Sequence, residues 1–179
     1  MIIGNNETVE MTRRHFDLPQ KVLQRDAKVA KQLINAWDNE NNPDKVLAIF
    51  KKNQNKLSSQ RYWELLRTVW IICGNIENIS LFKVFFSSPK KNRYCFSTPE
   101  EHEALRMLPE IITVYRACNS TEDNGISWTT SREYAKYYAE AYNKKMILES
   151  KVDKKHVFAL INRNKESEIL ILNSNVLQF

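Results

Sequence analysis

The chain has 179 residues, 42% of them hydrophobic and 27% charged, with three glycines, five prolines and a formal net charge of +6. That length suits one domain of ordinary size or a compact domain with an extra lobe, and the apolar share is enough for a core, which excludes wholesale disorder. No apolar run approaches the roughly 20 residues that span a bilayer. Residues 1–14 lack the apolar centre of a secretory signal, so the expected location is cytoplasmic, with no membrane partner.

Residues 18–110 read as helical. Val22, Ala30, Leu33, Ile34 and Trp37 recur at helix spacing after Pro19, which suits a first turn. Pro43 likewise opens a short helix through Val46, Leu47 and Phe50. Ser58 or Ser59 caps a third, whose apolar stripe (Tyr62, Leu65, Leu66, Val69, Trp70, Cys73) runs to a stop at Gly74. A fourth covers 78–86 and ends at the basic loop 88–93. Ser97-Thr98-Pro99-Glu100 combines a hydroxyl cap, a proline and an acid at a fifth start, running to Met107. Trp37, Trp63 and Trp70 are expected to be mostly core.

After Pro109 the periodicity changes. Residues 111–116 are β-branched and aromatic and read as a strand. A polar loop covers 119–125, a second strand 126–130, and Ser131 caps a helix over 132–142. Further strands are expected at 146–152, 157–161 and 168–172. The fold class is therefore α+β, with a helical N-terminal region over 1–109 packed on a β-rich core over 110–179. Cys73, Cys95 and Cys118 are odd in number and without a Cys-x-x-Cys pair. His15, His102 and His156 are scattered. Neither a disulfide framework nor a metal site is expected.

Three polar sites stand where strands would carry apolar residues. Arg116 ends the first strand, where a guanidinium can hold a pyrophosphate by paired hydrogen bonds or simply pair with a carboxylate. Ser127, Thr129 and Ser131 share one face of the second strand while Trp128 and Thr130 share the other. β-propensity and capping by Ser131 account for that pattern equally well. Glu166 and Glu168 are two apart, so an extended backbone points both carboxylates the same way, which is unfavourable unless a cation or ligand uses them.

In this order the three stretches resemble the ADP-ribosyltransferase family, in the class with an Arg, a Ser-Thr-Ser-type strand and a Glu-x-Glu turn. The matching residues are Val114-Tyr115-Arg116, Gly125-Ile126-Ser127-Trp128-Thr129-Thr130-Ser131 leading into Ala135-Lys136-Tyr137-Tyr138-Ala139, and Glu166-Ser167-Glu168-Ile169-Leu170-Ile171. They cover residues 110–173, and Thr129-Thr130-Ser131 stands where the family has Ser-Thr-Ser. The layout is also similar to small phage and bacterial members with an aromatic helical leader. The resemblance implies a split β-sandwich that clamps NAD, used as substrate, in a cleft. Arg116 would contact its phosphate or ribose, Ser127 and Thr129 would brace the cleft and position Glu168, and Ala117 would stand where many relatives carry Gly beside the nicotinamide. Glu168 would stabilise the positive charge that develops on the ribose, and Glu166 would orient or deprotonate the acceptor. Tyr134, Tyr137, Tyr138 and Ala141 form a helical stripe whose commoner fate is core; Tyr134 and Tyr138 are the candidates for stacking on nicotinamide.

The expected function is mono-ADP-ribosylation of a macromolecular target, such as a host protein or defence factor met by a phage protein, with nucleic acid as an alternative target. An NAD glycohydrolase toxin is the second reading. The third is a non-enzymatic module that binds nucleic acid or an acidic protein through Arg13, Arg14, Lys21, Arg25, Lys28, Lys31, Lys90, Lys91 and Arg93, which otherwise read as solvated faces. Oligomeric state is not legible.

Overall fold

The structure, a computed structural model, describes residues 18–74, 76–121, 125–163 and 166–173. Arg13, Arg14, His15 and residues 122–124 of the expected polar loop lie outside them. The chain divides into two compact units. One runs through Asn78 and takes back Ser87–Phe96; the other comprises Ile79–Phe86 and the residues from Ser97 onward. The sheet-bearing unit thus takes in two helices that precede residue 110.

The first unit is helical. Helix α1 spans Gln20–Asp38, α2 Pro43–Asn53 and α3 Ser59–Cys73, followed by a 3-10 turn at Ile76–Asn78. Asn42 caps α2 by accepting from the Lys45 amide, with Pro43 in the first turn, and Ser58 caps α3 by accepting from the Arg61 amide. Val29, Leu33 and Ala36 of α1, Val46 and Phe50 of α2, and Tyr62, Trp63 and Leu66 of α3 are buried together at helical spacing. Trp63 donates its indole N–H to the carbonyls of Lys90 and Lys91, 3.1 and 2.9 Å away, which ties the basic loop to this core. Trp70 is also buried, whereas Trp37 is only half-buried. Gly74 ends α3 without the left-handed backbone that often ends helices: its φ is −72°. A Cβ there would lie 2.5 Å from the Trp70 carbonyl and 2.9 Å from its ring, so the residue is small because Trp70 fills the space.

In the second unit, α4 (Ile79–Phe86) buries Phe82, Phe85 and Phe86, and the Phe86 ring packs 4.8 Å from that of Phe158. Helix α5 (Pro99–Met107) starts with a full capping box: the Glu101 amide donates to Thr98 Oγ1, and the Thr98 amide donates to the Glu101 carboxylate. The other carboxylate oxygen of Glu101 accepts from the Asn162 amide at 3.0 Å, which explains a buried acid on this helix.

All five expected strands form, with adjusted ends: β1 Ile111–Cys118, β2 Ser127–Thr129, β3 Met146–Asp153, β4 Ala159–Ile161 and β5 Glu168–Leu170. Helix α6 (Arg132–Ala141) follows β2. The sheet is antiparallel throughout, in the order β3-β1-β2-β5-β4. Ile112, Val114, Trp128, Val152, Leu160 and Ile169 make its core, against which Ala104 and Leu105 of α5 pack. The architecture is α+β, helices first and then a five-stranded antiparallel sheet. Cys73, Cys95 and Cys118 are buried thiols. Among the described residues no helix is long and apolar enough to cross a membrane.

Candidate functional site

Strand register builds the site. Thr129 pairs with Tyr115 on one side and Glu168 on the other, and Ser127 pairs with Leu170. Ser127, Thr129 and Glu168 therefore share one face of the sheet, while Trp128 and its partner Ile169 turn into the core on the opposite face. Glu168, 8% exposed, is held by the Ser127 hydroxyl, which donates to its carboxylate at 2.5 Å. A short O–H to carboxylate bond of this kind is among the stronger hydrogen bonds in proteins.

Arg116 reaches the same strand residue from β1, donating from Nη1 to the Ser127 carbonyl at 2.6 Å. Its guanidinium lies where the side chain of residue 125 would be: a Cβ on Gly125 would fall 1.8 Å from Nη2 and 2.0 Å from Cζ. The glycine is thus a condition of the arginine's placement, and its φ is not positive. Ala117, the next residue on β1, is half-buried and pairs with Ile147 of β3.

Thr129 acts differently from its neighbour. Its hydroxyl donates to the Glu166 carbonyl at 2.6 Å rather than to Glu168, and accepts from the Ser131 amide at 3.0 Å. Ser131 lies beyond the strand and does not extend the hydroxyl face. It caps α6 by accepting from the Tyr134 amide at 3.0 Å. The backbone between the two acids is not extended either: Ser167 has φ 45°, in the left-handed region, so Glu166 and Glu168 are not two residues of one straight strand. The expectation that both carboxylates point alike because of strand geometry is corrected accordingly. Both glutamate charges nonetheless act on Tyr134 and on Tyr138.

Glu166 has two polar neighbours: Arg163 Nε forms an ion pair with its carboxylate at 3.1 Å, and its charge acts on the Tyr134 phenol. Burial pushes the Tyr134 phenol well above its ordinary range, and the Glu166 charge adds to the shift. The Tyr138 phenol is also raised, first by burial and then by Tyr142, with Arg116 opposing and the two glutamates adding. Arg116, Glu166 and Glu168 therefore all lie within electrostatic reach of one tyrosine hydroxyl.

The tyrosine stripe of α6 is not core. Only Ala135 of that helix is buried, while Tyr137 and Tyr142 are 64% and 62% exposed. The rings form a ladder instead, with Tyr134 and Tyr138 6.5 Å apart and Tyr138 and Tyr142 4.3 Å apart at 31°. Three members were not singled out from sequence: Gly125 as the arginine's seat, Arg163 as the partner of Glu166, and Tyr142 as the outer rung. The scarcity of glycine in this chain and the i, i+3 spacing of Arg163 and Glu166 were the available signals. By register Arg116 leaves β1 on the Val114 and Trp128 face, opposite Ser127 and Glu168, yet at the strand end it bonds the Ser127 carbonyl, and its charge, with those of Glu166 and Glu168, acts on Tyr138. No protein-family model, curated protein or solved structure matches this chain.

Proposed function

We propose that this chain is a mono-ADP-ribosyltransferase with a split β-sandwich core, cleaving NAD at its nicotinamide–ribose bond and passing ADP-ribose to a macromolecular target such as a host protein. The observation that carries the reading is Ser127: its hydroxyl braces the buried Glu168 at 2.5 Å while its carbonyl holds Arg116 at 2.6 Å. In this reading one residue links an anion-binding cation, through its carbonyl, to a sugar-facing acid, through its hydroxyl.

In this reading Arg116 binds the diphosphate of NAD, and Glu168 accepts from the ribose 2′-hydroxyl. As the C1′–N bond breaks, nicotinamide leaves with the electron pair and C1′ gains positive charge. The Glu168 interaction strengthens as that charge grows, which is transition-state rather than uniform binding. The acceptor's lone pair then forms the new bond to C1′ and its proton passes to a base near Glu166 or to water. Tyr134 and Tyr138 supply ring faces for nicotinamide. Removal of one such stabilising group costs about 3–4 kcal/mol, roughly two to three decades in rate.

Glu166 favours a second reading as well. Its carboxylate is already ion-paired with Arg163 at 3.1 Å, which leaves it less room to orient a macromolecular nucleophile and suits water as acceptor, making an NAD glycohydrolase.

The test is incubation with NAD labelled in the adenylate, with and without cell lysate. Wild type labels a target protein, and Glu168→Ala labels at least a hundredfold more slowly. Release of free ADP-ribose without lysate selects the glycohydrolase. Equal labelling and equal nicotinamide release by wild type and Glu168→Ala overturn both.

A further inference from the structure

The sheet has two edges, and they end differently. At one, β4 is only three residues long, and the amide just beyond it, that of Asn162, is taken by Glu101 of α5. At the other, β3 runs for eight residues, with β1 as its only partner strand among the described residues. The register fixes which backbone groups of β3 are already used. Lys154, one residue past the strand, donates its amide at 2.7 Å to the carbonyl of Glu110, directly opposite it. Hydrogen-bonded and non-hydrogen-bonded pairs alternate along an antiparallel ladder, so Met146, Leu148, Ser150 and Val152 turn their amides and carbonyls towards β1. Ile147, Glu149, Lys151 and Asp153 turn theirs outward, where no described residue takes them.

Proteins blunt long edges with proline, bulges or charges that repel a second strand. β3 has no proline, pairs without a break from Met146 to Asp153, and has no residue at positive φ. Its charges are of opposite sign. Glu149 and Lys151 are exposed, stand two apart on one face, and have no ion-pair partner among the described residues. Leu148 and Val152 belong to the other face, with the core.

This pattern complements itself when turned end for end. A second β3 laid antiparallel against the first pairs outward residues with outward residues, and two symmetric registers overlap over about seven residues. One sets Glu149 against Glu149 of the second copy and is repelled. The other puts the two-fold axis at Ser150. There Glu149 and Lys151 each face their opposite charge, Leu148 faces Val152 on the core side, and about eight interchain backbone hydrogen bonds form. Such a contact uses the same surface on both chains and closes at two. An unrelated extended peptide would need an acid and a base in matching order; a second copy has them by symmetry.

We infer that β3 is a self-association edge, through which two copies of this chain pair antiparallel about Ser150 and join their five-stranded sheets into one. The edge uses none of the side chains assigned to NAD, so the inference stands or falls separately from that reading.

The test is sedimentation equilibrium of the full chain from about 1 to 500 µM, where mass action moves wild type from one chain mass to two. Lys151→Glu and Glu149→Lys, each an exposed single change, set like charges opposite one another and weaken association about fivefold or more. The double swap Glu149→Lys with Lys151→Glu restores wild-type affinity to within about twofold, and an equimolar mixture of the two single variants associates more tightly than either alone. Amide exchange at residues 147, 149, 151 and 153 slows with concentration in step with the mass. Wild type that stays at one chain mass throughout overturns the proposal, as does association indifferent to the charge reversals. Protection of those four amides already present in the single chain overturns it in favour of a terminal segment of the same chain.

Discussion

The bond between Ser127 and Glu168 is the sharpest quantitative commitment of the site. Ser127→Ala removes a donor 2.5 Å from a carboxylate that is 8% exposed. A hydrogen bond to a charged group contributes about 1.5–3 kcal/mol net. With a denaturant slope of about 2 kcal/mol per molar urea, the unfolding midpoint drops by about 1 M. Exchange protection of the β2 and β5 amides reads the sheet-bearing unit without averaging over both units. The decisive measurement is the double-mutant cycle. In a Glu168→Ala background, Ser127→Ala should cost less than about 0.5 kcal/mol, giving a coupling of about 1–2 kcal/mol. Single-mutant costs that simply add, within about 0.5 kcal/mol, would mean that the hydroxyl does not hold the carboxylate. The positioning argument for Glu168 would then be lost.

Two further outcomes follow from neighbouring geometry. Gly125→Ala puts a methyl group within 1.8 Å of the Arg116 guanidinium, so the arginine must leave the Ser127 carbonyl. The overpacking costs about 1–3 kcal/mol and, on the function proposed above, weakens NAD binding measured by calorimetry, whereas Gly125→Ala with wild-type stability and affinity would show that the arginine does not need that seat. Tyr134, whose phenol is raised by burial and by Glu166, gives a pH dependence. A raised value favours the neutral phenol in the folded chain, so its contribution is full below the unfolded value near pH 10 and is lost as pH climbs beyond it. Tyr134→Phe should therefore flatten the fall of the urea midpoint above pH 10; an unchanged alkaline limb contradicts the assignment.

Local chemistry wrote much of this fold into the sequence. Thr98, Pro99 and Glu101 specify a helix start whatever surrounds them, and the start is where they put it. The β-branched run after Pro109 likewise marks β1. Strand ends were less legible because tertiary contacts set them: Val157 and Phe158 leave the sheet, Phe158 packing on Phe86 while its amide still donates to Leu170. The site shows the same division. Alternation correctly separates Ser127 and Thr129 from Trp128. It could not reveal that Thr129 takes the Glu166 carbonyl, 37 residues away, and so belongs to the left-handed turn rather than to Glu168. The α6 tyrosines show the limit of periodicity, which identifies a face but not what lies opposite it.

That left-handed Ser167 makes the two acids separately adjustable. Glu168 is anchored by the ladder of β5 and by Ser127, whereas Glu166 hangs on Thr129 and Arg163 across a single unusual dihedral. A non-glycine residue there costs about 1–2 kcal/mol, so Ser167→Gly relieves strain and slackens only the Glu166 end. On the function proposed above, divergence at this pivot retunes the choice between water and a macromolecule as acceptor and leaves the bond-breaking half of that chemistry intact.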